Sequence, residues 1–239
     1  RLAAGLEVTP ADIMGMGVGG LLMEIPSRPQ PREAPAAPPA GPRIAGIVLA
    51  AGQSRRMGGP NKLLVDIDGK PMIRRAVEAA LAARLAPVLV VIGHMREEVT
   101  QALAGMPVRF VDNPDYAQGL ATSLRAGVTA LPAEVNAAVV CLGDMPKVTG
   151  RLIRSLVEAY NPLEGRAIVV PTRHGKRGNP VLWDRRFFAA MRELAGDAGA
   201  KALIGQHDEL VAEVETGDEA ALTDIDTPEA LAELTGSAA

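Results

Sequence analysis

The chain has 239 residues, of which 48% are hydrophobic, so it is long enough to bury the core of one large domain. Its net charge of −3 gives no general attraction to nucleic acid, whose binding proteins usually carry a basic face. A single cysteine, Cys141, excludes an internal disulfide, and the sequence has no apolar run of about 18 residues that would span a membrane. These features predict a cytoplasmic protein without a nucleic-acid or membrane partner.

The first 43 residues differ in composition from the rest. Residues 25–43 are rich in proline, which favours an extended linker, and residues 13–23 are rich in glycine and methionine, as at the frayed end of a preceding domain. We therefore predict a tail and a proline-rich linker over residues 1–43, followed by the functional domain over residues 44–239.

From residue 44 onward, apolar strands alternate with amphipathic helices. The predicted strands cover residues 44–49, 63–67, 88–92, 108–111, 137–142, 167–170, 180–183 and 210–214. The predicted helices cover residues 71–85, 95–103, 120–131, 150–160, 185–194 and 200–207, with one more after Pro228. Because right-handed crossovers place helices on both faces of a parallel sheet, this order predicts an α/β fold, a three-layer α/β/α sandwich with a mainly parallel sheet.

A glycine-rich segment, LAAGQSRRMGGPNK over residues 49–62, follows the first strand. It therefore lies at the carboxyl end of that strand, where open α/β sheets bind ligands. Its glycines let backbone amides approach a polyanion, and Arg55, Arg56 and Lys62 supply positive charge. Leu63 stands where a Walker loop needs Ser or Thr, and the segment lacks the GxGxxG of a dinucleotide site. It predicts a different kind of phosphate-binding loop, with a charged surface loop as the alternative.

The run LAAGQSRRMGGPNKLL resembles the opening motif of nucleotidyltransferases with a glycosyltransferase-A-like fold, and most of all that of molybdenum cofactor cytidylyltransferases. The resemblance implies a nucleotide-diphospho-sugar-transferase-like sandwich in which this loop wraps the triphosphate of CTP. It assigns phosphate contacts and catalysis to Arg56 and Lys62. It also implies a molybdopterin-type cofactor as the acceptor and a recipient molybdoenzyme as a further partner.

Asp144, in the sequence GDMP, follows the apolar strand predicted at 137–142. Its carboxylate is expected at the same sheet edge as the glycine-rich segment, where Mg²⁺ could be held by one or two carboxylates together with substrate phosphates. The family resemblance implies Asp144 and Asp226 as metal ligands, with Asp224 as an alternative to Asp226. Asp226 precedes a helix that Thr227 can cap. A turn or helix cap is the alternative role for either aspartate.

Two further groups of residues are assigned by the resemblance. Gly119 and Ser123, in AQGLATSLRAG, would lie near the base and ribose of the nucleotide. An ordinary helix start is the alternative for that segment. Leu49, Ala51 and Gly52 would line the nucleotide through their backbone.

The resemblance places the acceptor in the second half of the chain, at Asn179 in GNPVLW and at Asp197 in GDAGAK. Many relatives carry histidine where Asn179 stands, so the sequence supports hydrogen bonding there rather than acid–base chemistry. For the basic turn at residues 173–178, a solvated hairpin tip is the alternative.

Three functions fit these motifs. The first is transfer of CMP from CTP to the terminal phosphate of molybdopterin. The second is guanylyl or other nucleotidyl transfer, but the guanylyl branch usually has a second glycine where Ala51 stands, and a side chain there would narrow the base slot. The third is a non-catalytic chaperone for the molybdenum cofactor, against which the retained Arg56, Lys62 and Asp144 argue.

Overall fold

The computed structural model describes residues 41–54, 61–196, 199–217, 220–225, 227 and 230–232. Apart from residues 41–43, the predicted tail and linker lie outside the described residues, so the boundary near residue 43 stays a prediction. Arg56, Asp197 and Asp226 also lie outside them.

The described residues contain ten strands, eight of which form one sheet in the order β10-β7-β9-β6-β1-β4-β5, with β8 paired to β7. The strands are β1 Ile44–Ala50, β2 Asp66–Ile67, β3 Lys70–Pro71, β4 Val88–Ile92, β5 Arg109–Asp112, β6 Ala137–Leu142, β7 Ile168–Arg173, β8 Lys176–Arg177, β9 Val181–Asp184 and β10 Val211–Glu215. β1 is parallel to both β4 and β6, with Val48 beside Val90 and Cys141. The mainly parallel sheet is thus confirmed, while β9 runs antiparallel to β6 and β7.

Helices cover both faces of this sheet, as the alternating pattern predicts. They are α1 Met72–Ala82, α2 Arg96–Ala102, α3 Leu120–Thr129, α4 Gly150–Ala159, α5 Phe188–Arg192 and α6 Lys201–Gln206. None of the described helices is long and apolar enough to cross a membrane. Near the end of the described chain, Ala230 N–H donates to the Thr227 hydroxyl at 3.2 Å, which is the cap expected there.

The core consists of two apolar clusters, one on each face of the sheet. Alternate residues of β1 enter different clusters because successive strand side chains point to opposite faces: Ile44, Val48 and Ala50 pack on the face that carries α1, α2 and α4, and Ala45, Ile47 and Leu49 on the face that carries α3, α5 and α6. Every residue of β1 is buried. The structure is therefore the expected three-layer sandwich with β1 near its middle.

The segment after the glycine-rich loop differs from its prediction. The strand expected at 63–67 is a 3-10 helix, Lys62–Leu64, followed by the two-residue strand β2. The side-chain oxygen of Asn61 accepts a hydrogen bond from Leu63 N–H at 3.1 Å, and this cap starts a helical turn where the apolar residues alone suggest a strand. The expected turn at Asp68 and Gly69 is present, with φ of 51° and 81°.

Burial should make the single cysteine unreactive. Cys141 is fully buried in β6, and burial raises the pKa of its thiol to about 12, so the nucleophilic thiolate is scarce in the folded protein. We expect a thiol reagent at about pH 8 to leave the native protein unlabelled and to label one thiol per chain after denaturation. Rapid labelling of the native protein would contradict this packing of β6.

Candidate active site

The carboxyl ends of β1 and β6 form the centre of the candidate site. Gly143 N–H, just after β6, donates to the carbonyl oxygen of Leu49 at 3.0 Å. A Cβ on Gly143 would lie 2.9 Å from that oxygen and 2.9 Å from the side chain of Ile73, so a glycine is required for this close approach. The contact holds the GDMP segment against the start of the glycine-rich segment.

Lys62 and Asp144 meet at this edge. The Nζ atom of Lys62 lies 2.7 Å from Oδ2 of Asp144, and the two side chains are only 12% and 19% exposed. The structure thus joins the cation that ends the glycine-rich segment to a carboxylate that follows β6, although 82 positions separate them, counted from 62 to 144. Arg56, the other cation assigned to this site, lies outside the described residues.

The segment that leads to Asp226 lies beside Asp144. Ile225 N–H donates to the backbone carbonyl of Asp144 at 3.0 Å, and the Ile225 side chain is buried in a small cluster with Ile67 and Met72. Asp224 is exposed, and Asp226 itself is outside the described residues. Within the described part of the chain, no three His, Cys, Asp or Glu side chains are grouped as a metal site.

The loop before α3 is held by a hydrogen-bond network that the sequence did not reveal. Asn113, buried at the end of β5, donates from Nδ2 to Thr122 Oγ1 at 2.9 Å and to Ser123 Oγ at 3.0 Å. Ser123 is itself buried, so its hydroxyl supports the loop and does not lie open at the surface. Gly119 has φ 114° and ψ 172° at the N-cap of α3, a backbone conformation that is essentially restricted to glycine. Asn113 could have been noticed as a polar residue directly after a strand at the ligand-binding edge.

The residues assigned to the nucleobase form a closely packed edge. Ala51 is 2% exposed, and its carbonyl accepts a hydrogen bond from His94 N–H at 3.3 Å. A Cβ on Gly93 would lie 2.8 Å from the side chain of Tyr116 and 2.9 Å from Cβ of Ala51. Gly52 is exposed, with nothing near the position of a Cβ. Ala51 is thus packed against Gly93 and Tyr116, whereas Gly52 is exposed.

An apolar cavity of about 400 Å³ lies on the α3 face of the same sheet edge. Its walls include Leu49, Leu124 and Trp183, and Asn179 and Lys201 supply polar groups. The structure therefore brings together two segments that the sequence assigned to the acceptor, GNPVLW and the GAK part of GDAGAK. Asp197 of the second segment lies outside the described residues.

Backbone contacts fix Asn179 at this cavity. Asn179 N–H donates to the carbonyl of Ala221 at 2.9 Å, and Gly178 N–H donates to the carbonyl of Pro171 at 2.8 Å. The basic turn before them is the exposed tip of the β7–β8 hairpin, as the alternative predicted, and at its end the Arg177 guanidinium contacts Asp208 at 2.6 Å and Glu213 at 2.7 Å. These two acidic partners raise the pKa of Arg177, and the two ion pairs anchor its guanidinium at the cavity rim.

This fold and this edge define a class of enzyme, the nucleotidyltransferases with a nucleotide-diphospho-sugar-transferase-like α/β sandwich. A family model described as the MobA-like NTP transferase domain matches residues 46–210. The chain belongs to this family, and it is a nucleotidyltransferase.

Two relatives cover most of the chain. Molybdenum cofactor cytidylyltransferase of Escherichia coli strain K12 is 28% identical over 186 residues, which are 77% of this chain and 91% of that protein. Nicotine blue oxidoreductase of Paenarthrobacter nicotinovorans is 30% identical over 199 residues, which are 79% of this chain and 94% of that protein.

Among solved structures, Rv0371c of Mycobacterium tuberculosis H37Rv is 26% identical, with a TM-score of 0.72 over 82% of this chain and 100% of that chain. A manganese complex of Rv0371c, aligned at 22% identity with a TM-score of 0.67 over 82% of this chain and 100% of that chain, has the same fold.

The contact between Gly178 and Ala221 can be tested. A Cβ on Gly178 would collide with the Ala221 carbonyl, so we expect Gly178→Ala to lower the free energy of unfolding by about 1–3 kcal/mol. Chemical denaturation would measure this loss. Gly217→Ala is the matched control, because a Cβ there meets nothing within 4 Å and should leave stability almost unchanged. Equal stability of the two variants would contradict the packing of this segment.

Proposed function

We propose that this protein transfers CMP from CTP to the terminal phosphate of a molybdopterin-type cofactor. An oxygen of the acceptor phosphate attacks the α-phosphorus of CTP and forms a new P–O bond. The bond between the α-phosphorus and the oxygen that bridges it to the β-phosphorus breaks, and pyrophosphate leaves with that electron pair. The observation that carries the proposal is the Lys62–Asp144 pair at 2.7 Å, at the sheet edge that also opens into the apolar cavity.

The reaction depends more on stabilisation by positive charge than on a general base. A phosphate monoester has a second pKa of about 6, so the attacking oxygen is already largely ionised near neutral pH. Negative charge grows on the leaving pyrophosphate, and preorganised cations stabilise it most effectively in a partly desolvated site. Lys62 fits this role because its side chain is 12% exposed and is held by Asp144. Arg56 would add a second positive charge from the glycine-rich segment.

The carboxylates fit a divalent cation. Asp144 offers hard oxygen ligands at the sheet edge, and the hydrogen bond from Ile225 to the Asp144 carbonyl keeps the residue before Asp226 beside it. We propose that Asp144 and Asp226 would hold Mg²⁺, which prefers one or two carboxylates plus substrate phosphates. When bound, the ion would neutralise charge on the triphosphate. The manganese complex of the fold relative Rv0371c is consistent with a divalent cation at such a fold.

The cavity fits the acceptor. Its walls are mostly apolar, with Leu124 and Trp183 among them, and Asn179 and Lys201 supply polar groups. A flat heterocycle could lie against the apolar walls and form hydrogen bonds at the rim. The resemblance of GNPVLW and GDAGAK to acceptor segments supports this assignment for Asn179 and Asp197.

The identity of residue 51 favours a pyrimidine base. The guanylyl branch of the resembling family usually carries a second glycine where Ala51 stands, and a side chain there would narrow the base slot. This supports CTP over GTP. Leu49, Gly52, Gly119 and Ser123 would complete the nucleotide site, with Ser123 acting through the network of Asn113.

The similarity to nicotine blue oxidoreductase over 94% of that protein favours a second candidate, an oxidoreductase whose substrate binds in the same cavity. This alternative gives no role to the Lys62–Asp144 pair.

A cofactor-binding chaperone is a third candidate. An assay of pyrophosphate release from CTP, GTP and ATP, each with molybdopterin and Mg²⁺, separates nucleotidyl transfer from the other two candidates. Release with CTP supports the proposal, release only with GTP or ATP selects another nucleotidyl transfer, and no release with any nucleotide overturns it.

Asp144 can be tested directly in that assay. We expect Asp144→Asn to lower turnover about a hundredfold or more, since it removes one preorganised charged group from the site. Asp112→Asn is a matched control, because Asp112 also ends a parallel strand but is exposed and paired with Arg96. Full activity of Asp144→Asn would refute the role given to this carboxylate.

A further inference from the structure

Two side chains flank the part of the glycine-rich segment that lies outside the described residues. Ser54 precedes that part and Asn61 follows it. The Ser54 hydroxyl donates to Oδ1 of Asn61 at 3.3 Å and accepts a hydrogen bond from Lys62 N–H at 3.2 Å. Oδ1 of Asn61 also accepts from Leu63 N–H at 3.1 Å. We call Ser54 and Asn61 the neck pair.

The neck pair is held at a cost in free energy. Ser54 has φ 50°, a left-handed conformation that is unfavourable for serine. Asn61 is 1% exposed, and its buried Nδ2 has no hydrogen-bond partner in the described part of the chain. The amide orientation is fixed because its oxygen accepts from Leu63. Strained or unsatisfied groups persist where the surrounding structure needs them, often at functional sites.

The hydrogen bonds of the neck pair fix the backbone of Lys62. The N–H of Lys62 donates to the Ser54 hydroxyl, and the carbonyl of Lys62 accepts a hydrogen bond from Val65 N–H at 3.1 Å. With the main chain held on both sides, only the side chain remains to be ordered, and the 2.7 Å contact with Asp144 orders its end. A lysine side chain is long and flexible, so a fixed backbone reduces the range of positions of its ammonium group.

We propose that Ser54 and Asn61 are positioning residues that hold Lys62 at the reacting phosphates. This inference rests on the proposed function, in which Lys62 stabilises the transition state. A positioning residue acts on the step in which its partner acts, because small displacements of a catalytic group reduce the rate strongly. Loss of the Ser54 hydroxyl should therefore lower kcat and leave the KM for CTP nearly unchanged.

Ser54→Gly is the decisive variant, because glycine adopts φ 50° without steric cost. It removes the hydroxyl without a strained replacement, so the melting temperature should be maintained. We expect kcat for pyrophosphate release to fall at least about tenfold, since small misplacements cost this much or more. The matched control is Arg84→Gly, which also replaces a residue with positive φ, 62°, and which is exposed and away from the site. It should keep the parental kcat.

The same measurements in a Lys62→Ala background separate this inference from the proposed function. If the neck pair acts through Lys62, Ser54→Gly should cause no further loss there. Asn61→Ala should behave likewise, and the double variant Ser54→Gly with Asn61→Ala should lose no more than the worse single variant.

Three outcomes would overturn the assignment. If Ser54→Gly has the same kcat as Arg84→Gly, the positioning role is overturned and the proposed function stays intact. An equal loss from Ser54→Gly with and without Lys62 overturns it, because the hydroxyl then acts elsewhere. Full activity of Lys62→Ala would show that Lys62 has no role in the proposed reaction, and the neck pair would then have no catalytic group to position. A loss of kcat that disappears in the Lys62→Ala background supports it.

Discussion

The contact between Lys62 and Asp144 depends on the pairing of β1 with β6. The two strands are parallel and in register from Ile44 beside Ala137 to Leu49 beside Leu142, so the segments that follow them leave the sheet side by side. The hydrogen bond from Gly143 to Leu49 continues this pairing beyond the strands. A partly buried ion pair loses hydration of both charges, which makes it weak evidence for stability. Its position at the ligand-binding edge of an α/β sheet gives it a functional explanation.

The direction of β9 explains how a second part of the chain reaches the same edge. β9 is antiparallel to β6, with Val181 beside Val140 and Asp184 beside Ala137. Its amino end therefore lies at the carboxyl end of β6, and Asn179, just before β9, enters the cavity. A parallel β9 would have placed Asn179 at the opposite edge. The antiparallel strand thus brings Asn179 and the apolar cavity to the sheet edge at which the cation and carboxylate pair also lies.

The two relatives illustrate how little a shared fold says about substrate. One is a cytidylyltransferase and the other carries the name of an oxidoreductase, yet each aligns with more than three quarters of this chain. Function must then be argued from the side chains at the site. In the proposed function, Lys62 and Asp144 would act on the phosphates, Ala51 would bear on the choice of base, and Asn179 and Trp183 would contact the acceptor.

The sequence alone predicted the layered fold and the sheet edge to which the proposed chemistry is assigned. The strands 88–92 and 137–142 were predicted at their observed bounds, because a continuous apolar run reports burial on both faces of a strand. Local signals also predicted the turn at Asp68 and Gly69 and the cap at Thr227.

Only the tertiary structure decided the direction of β9, the cavity, the link from Asn113 to Ser123 and the partners of Arg177. Each of these depends on contacts between residues that are distant in the chain, and the periodicity of a short stretch carries no information about which distant residues meet. The 3-10 helix at Lys62–Leu64 was missed for a related reason: a side-chain cap from Asn61 outweighed the apolar pattern that favoured a strand.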